Sequence, residues 1–168
     1  MKRIFPLALI TLGTLLSLAA LTQLYFGNRN ESGTNTNLPN QVAGFALTSS
    51  KSGKEAIAEF TSLHSEEFPV KSGAVGVYGN GAITLWVAGT SSDSVAAELV
   101  SDMQSKISDG NSPFTPIKEI QDGDRKVYIL DGMGQEHYYF QSKDRVIWLA
   151  SQPQTADQAI QQILEVYP

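Results

Sequence analysis

Cysteine is absent from all 168 residues, and histidine occurs only twice. The first absence excludes disulfides, thiol nucleophiles, zinc clusters built on thiolates and haem-attachment motifs. An exported domain with this composition must be held by its core alone, and about 130 residues suffice to bury one. Basic residues are also scarce. From Asn40 onward there are 9 Lys+Arg against 16 Asp+Glu, a balance of −7. No basic stripe interrupts that acidic surface, so a nucleic-acid partner is excluded on charge. Motif chemistry is missing as well. No Walker-type glycine loop, G-x-S-x-G elbow, H-E-x-x-H helix or D-x-D-x-D calcium loop occurs. Gly73, Gly76, Gly79 and Gly81 follow a G-x-x-G-x-x-G-x-G spacing inside a hairpin, which reads as turn and close-packing glycine. No cofactor or metal ion is expected.

What is present begins with a long hydrophobic run. After Lys2 and Arg3, residues 4–26 carry no charge. As a helix the run spans ~34 Å, enough for the hydrocarbon core of a bilayer. A cleaved signal peptide would use Ser17-Leu18-Ala19 as its small-x-small site. An uncleaved anchor is favoured, because Leu21, Leu24, Tyr25 and Phe26 prolong the run and end it on an interfacial aromatic pair. Either way the basic N-terminus stays in the cytoplasm and the remainder lies outside, in the periplasm or beyond the cell. The expected organisation is therefore a membrane anchor over 1–26 in contact with lipid, a flexible linker over 27–39 and an extracytoplasmic domain over 40–168.

The domain's elements alternate clearly. A short strand is expected near 42–47. Ser52-x-x-Glu55 then reads as a capping box for a helix to about His64. Asn80-Gly81 joins two strands, since both positions tolerate the positive φ of a tight hairpin. A helix follows from about Ser92 to Ser108, with Val95, Leu99, Met103 and Ile107 on one stripe. Two further hairpins are expected. One turns at Asp122-Gly123 with Glu119 opposite Lys126, and the other turns across residues 142–145. Thr155-x-x-Gln158 would cap a last helix. The order β-α-ββ-α-ββ-ββ-α predicts an α+β fold, an N-terminal transmembrane helix followed by a mostly antiparallel sheet with helices on one face. The arrangement around Trp86-Val87-Ala88 is echoed around Trp148-Leu149-Ala150, as either a duplication or a repeated ββα unit.

Strand parity singles out the candidate site. Alternate residues share a face, so His137, Tyr139 and Trp148 point one way, and Tyr138, Phe140, Ile147 and Leu149 the other. The Asn80-Gly81 hairpin is also apolar on both faces, with Trp86 beside Val75 and Val77. Three helices confined to one face would leave large side chains uncovered, which marks Trp86, His137, Tyr139 and Trp148 as a binding surface. The function expected is a non-catalytic domain that binds a protein partner or an apolar ligand, such as an accessory subunit meeting a membrane protein. The alternative is an exported hydrolase-like enzyme using His137, or His64 near Glu66 and Glu67. Leu38-Pro39 with Gly44-Phe45, Leu63-His64, Tyr78-Gly79, Asn111-Ser112-Pro113-Phe114, His137-Tyr138-Tyr139-Phe140 and Trp148-Leu149-Ala150 together resemble uncharacterised bacterial exported or membrane-anchored proteins. That resemblance implies no activity and carries no site residue over.

Overall fold

A computed structural model describes residues 36–64 and 69–168. Eight strands form one antiparallel sheet. In chain order the elements are β1 Gln41–Val42, β2 Phe45–Ser52, α1 Lys54–His64, β3 Ser72–Tyr78, β4 Ile83–Gly89, α2 Asp93–Ser108, β5 Thr115–Asp122, β6 Arg125–Gly132, β7 Gln135–Ser142, β8 Arg145–Ser151 and α3 Pro153–Val166. The strands lie in the order β1-β2-β3-β4-β8-β7-β6-β5. Hairpins account for most neighbours. β2 and β3 pair across the α1 connection, and the pairing of β4 with β8 joins the two halves of the sheet at its middle.

The expectation that all helices share one face is overturned. α1 and α2 pack on one face through Ala56, Phe60, Ala96, Leu99, Val100 and Ile107, over Val75, Tyr128, Leu130, Tyr139 and Val146. α3 packs on the other through Ala156, Ala159, Ile160 and Ile163, over Leu85, Val87, Phe140, Ile147 and Leu149. The reason lies in the strands themselves. Their large apolar side chains alternate across both faces, and burying both sets is worth more than doubling the cover on one. The second face is completed by the segment around β1 and β2, where Leu38, Val42, Ala43, Phe45 and Leu47 join α3. The first strand is correspondingly split into β1 and β2, giving eight strands. No helix among the described residues is long and apolar enough to cross a membrane. The expected transmembrane helix over 4–26 falls outside the described residues.

The folded part also starts earlier than Asn40. Tyr167 Oη donates to the Asn37 carbonyl (2.7 Å) and Tyr78 Oη to the Pro39 carbonyl (3.0 Å). Gln162 clasps the next segment, accepting from Ala43 N–H (2.9 Å) and donating to the Gln41 carbonyl (2.8 Å). Residues 37–39 are thus docked rather than part of a free tether.

Local signals explain most element ends. Ser92 caps α2, its Oγ accepting from Val95 N–H at 3.3 Å. The expected capping box at Ser52 does not form: β2 runs through Ser52, and Gly53, at φ 57°, turns the chain into α1. α3 starts two residues before Thr155, with Pro153 in its first turn, where a missing N–H costs nothing. Its C-terminus is held by Arg125, whose guanidinium donates to the carbonyls of Leu164 (2.7 Å) and Tyr167 while pairing with Asp122. The β5–β6 turn is Gly123-Asp124, one residue later than expected. Glu119 therefore opposes Tyr128 and reaches Lys126 only diagonally, at 3.3 Å. Trp86 and Trp148 are direct partners, so the sequence echo meets at mid-sheet. It does not extend to the helices. A twofold axis relating β4 to β8 must stand normal to the sheet and preserve faces, whereas α2 and α3 lie on opposite ones.

Candidate functional site

One row of side chains crosses the α1/α2 face from edge to edge. The ladder pairs Lys51 with Val75, Val75 with Trp86, Trp86 with Trp148, Trp148 with Tyr139, Tyr139 with Tyr128 and Tyr128 with Glu119. Directly opposed residues in antiparallel strands stand about 5 Å apart, close enough for flat rings to stack. Tyr128 and Tyr139 stack at 4.6 Å between centroids and 11° between planes, and Tyr139 and Trp148 at 5.3 Å and 13°. Such contacts contribute roughly 0.5–1.5 kcal/mol each beyond area burial.

The polar side chains of the row other than Tyr139 are held by neighbours. Trp148 Nε1–H donates to His137 Nδ1 (3.1 Å), and His137 Nε2 lies 3.0 Å from the Gly132 carbonyl. That pair of contacts sets the tautomer: Nδ1 accepts, so Nε2 carries the proton and donates. Burial pushes His137 below its ordinary pKa, against the opposing pull of the Gly132 carbonyl and Asp131. Phe114 closes the cluster, its ring 4.6 Å from His137 and 5.1 Å from Trp148. Its ring edge lies against Gly132, where a Cβ would meet Phe114 Cδ1 at 2.5 Å. Only glycine leaves room for that lid.

At the other end Trp86 Nε1–H donates to Glu59 Oε1 (3.1 Å), and Lys51 Nζ pairs with Glu59 Oε2 (2.6 Å). Burial pushes Glu59 up, but the hydrogen bonds from Lys51 and Trp86 outweigh it and hold the carboxylate below its ordinary value. Tyr128 Oη donates to Gln104 of α2 (3.3 Å), whose amide nitrogen donates to Glu119 (3.2 Å). The ladder is thus pinned to α1 at one side and to α2 at the other. Tyr139 is held by stacking instead, and burial, with smaller contributions from Tyr128 and Glu119, pushes its hydroxyl well above the phenol range.

The four residues expected to bind stand together but not in the same state. His137 is 4% exposed and Tyr139 1%, so neither can touch a partner. Trp86 and Trp148 are half-buried. The reason is the spread of the helices: α1 packs on β2 and β3, and α2 on β5, β7 and β8. β4 runs beneath the seam between them, with Trp86 and the half-exposed Thr84 on its upper side. The face is therefore least covered along this seam and along the outer strand β5, which is exposed from Thr115 to Gln121. His64 ends α1, away from the His137 cluster in sequence, and its side chain lies outside the described residues.

Three contributors escaped sequence reasoning. Phe114 sits in a loop where periodicity is silent. Tyr128 becomes visible only once β6 is paired with β7. Glu59 lies on the polar side of α1 by pattern and reaches the tryptophan only because the helix runs alongside β3. Two concavities border the Tyr128 end of the row. One of about 240 Å³ opens between α2 and β5, lined by Gln104, Ile107, Pro116, Lys118 and Tyr128. A wider groove of about 1040 Å³ runs from Asp93 and Gln104 to Arg125, Lys126 and Lys143, with charges of both signs. No group of three His, Asp or Glu side chains fit to hold a metal ion occurs among the described residues. Comparison with family models, with curated proteins and with solved structures returns no match.

Proposed function

We propose that this chain is a non-catalytic binding domain, displayed outside a membrane by its apolar N-terminal run, which engages a protein partner along the seam between α1 and α2. The observation that carries the reading is the adjacent, half-buried pair Trp86 and Trp148. Both indole N–H groups are already bonded, to Glu59 and to His137, so the rings are fixed in place before any partner arrives. Stacked Tyr139 and Tyr128 stiffen the pair from one side. Rigid aromatic surface set in a partly desolvated seam is what binding hot spots are made of, because little side-chain entropy is left to lose. In this reading Trp86 and Trp148 touch the partner, whereas His137 and Tyr139 hold them. A hydrolase using His137 finds no support in this geometry. Both ring nitrogens are committed and the ring is sealed by Phe114, so a general base would first have to be dismantled.

The test is photo-cross-linking in host membranes, with the reactive side chain placed in the full chain at Thr84, in the seam, and separately at Gln161, on the exposed side of α3. A discrete protein adduct from position 84 and none from 161 is expected. Adducts from 161 alone would overturn the reading.

A further inference from the structure

We propose that the outer edge of β5 pairs antiparallel with the same edge of a second copy of this chain, centred on Ile120, so that the sheet continues across a twofold axis. The surface is separate from the Trp86–Trp148 seam, and the inference stands independently of it.

β5 is the end strand of the sheet among the described residues. It is exposed from Thr115 to Gln121, with Ile117 at 53% and Ile120 at 36%. Exposed edge strands are templates for further pairing, and proteins usually blunt them. Here the blunting is partial. Pro116 offers no N–H, and a bulge between Pro116 and Lys118 breaks the ladder. The regular stretch is residues 118–122, reading Lys-Glu-Ile-Gln-Asp.

Its polarity follows from the turn. β5 and β6 close on Asp122 and Arg125 around the two residues Gly123 and Asp124. A two-residue hairpin closes on a pair that exchanges both main-chain bonds. Asp122, Ile120 and Lys118 therefore spend their amide and carbonyl groups on β6, and Glu119 and Gln121 direct theirs outward.

Symmetry then selects the register. Antiparallel strands related by a twofold axis keep their faces, so a residue can oppose only a residue of its own parity, and the axis must pass through a residue. An axis at Lys118 or Glu119 would set like charges against each other, which destabilises a pair. An axis at Ile120 opposes isoleucine to isoleucine and uses all of 118–122. It sets Lys118 against Asp122 of the second copy, twice. It also sets Glu119 against Gln121, the two residues with outward groups, for four main-chain hydrogen bonds. Asp122 can serve: both Arg125 contacts fall on Oδ2, leaving Oδ1 for the incoming lysine. An axis at Gln121 would overlap only three residues.

A contact of this size is below the roughly 1,000 Å² of a stable interface. Association is thus weak between free molecules and strengthens where copies share a surface, through effective concentration.

The absence of native cysteine makes the register directly readable. The full chain is placed in liposomes, carrying Ile120→Cys, Lys118→Cys or Asp122→Cys, and oxidised mildly. Cβ atoms opposed across the axis lie within disulfide reach, and those four residues out of register do not, so Ile120→Cys should link at least about tenfold faster than either other variant alone. Mixing Lys118→Cys with Asp122→Cys should raise their linked yield about tenfold above either alone, since those positions face each other only between copies. Equal rates for all three single variants, or no gain on mixing, would overturn the proposal. So would the absence of linked dimer at every position.

Discussion

Replacing Trp148 with phenylalanine isolates the bond that organises the aromatic cluster. The phenyl ring can keep the 13° stack on Tyr139 and the contact with Phe114, but it has no N–H. His137 Nδ1 then stays buried without a donor, which costs roughly 1–3 kcal/mol. The smaller ring adds roughly 1 kcal/mol for lost contacts, kept low because Trp148 is half-buried and the site can partly collapse. The expected loss is therefore about 2–4 kcal/mol, a large part of the 5–15 kcal/mol typical of a domain. Urea denaturation followed by circular dichroism at pH 7.5 measures it without relying on tryptophan emission. A cycle with His137→Leu separates the bond from the packing, and the two changes should couple by about 1 kcal/mol. A loss below about 0.5 kcal/mol, or strict additivity with His137→Leu, would refute the claim that this hydrogen bond holds the site.

Three further outcomes follow from the same geometry. Because burial lowers the folded-state pKa of His137 below 6.5, its contribution is fully present above that pH and is lost as the pH falls through the folded value. The wild-type chain should therefore lose stability on acidification faster than His137→Gln, by at most about 1.4 kcal/mol per pH unit, in paired urea titrations from pH 7.5 to 5. Gly132→Ala would drive a methyl group into Phe114 at 2.5 Å, so a loss of about 1–3 kcal/mol is expected, with faster hydrogen exchange in residues 111–116. A chain beginning at Asn40 should be about 1–3 kcal/mol less stable than one beginning at Thr36, since it lacks Leu38 and the acceptors for Tyr78 and Tyr167; equal urea midpoints would show that residues 36–39 contribute nothing.

Local chemistry in the sequence was a good guide where the structure is local. Ser92 caps α2, and Asn80 and Gly81 take positive φ (56° and 99°) between β3 and β4. The connection there is the four residues 79–82, closing on Tyr78 and Ile83, rather than the expected two-residue turn. The β6–β7 turn was harder to read, because Met133 takes a positive φ (53°) that methionine rarely adopts. Parity grouped Trp86, His137, Tyr139 and Trp148 on one face because the side-chain period of a strand is two and needs no tertiary information. Layering was not legible. The helix after β4 and the helix after β8 carry similar apolar stripes, and nothing local says that α2 turns to one face and α3 to the other. The β4–β8 pairing joins residues some sixty positions apart, and it alone brings the two tryptophans together. Burial followed from that pairing, which is why a set that looked like one open aromatic surface divides into two supporting residues and two half-open ones.

The most direct test of the seam uses the fact that the chain has only two tryptophans. Labelling the full chain with 5-fluorotryptophan gives one fluorine signal from Trp86 and one from Trp148. Once a partner has been purified through the Thr84 adduct, it is titrated into the labelled protein. Both signals should shift or broaden in step with binding, with no loss of the folded circular dichroism spectrum. A partner that binds stoichiometrically while both fluorine signals stay unchanged would contradict the account and move recognition to another part of the molecule.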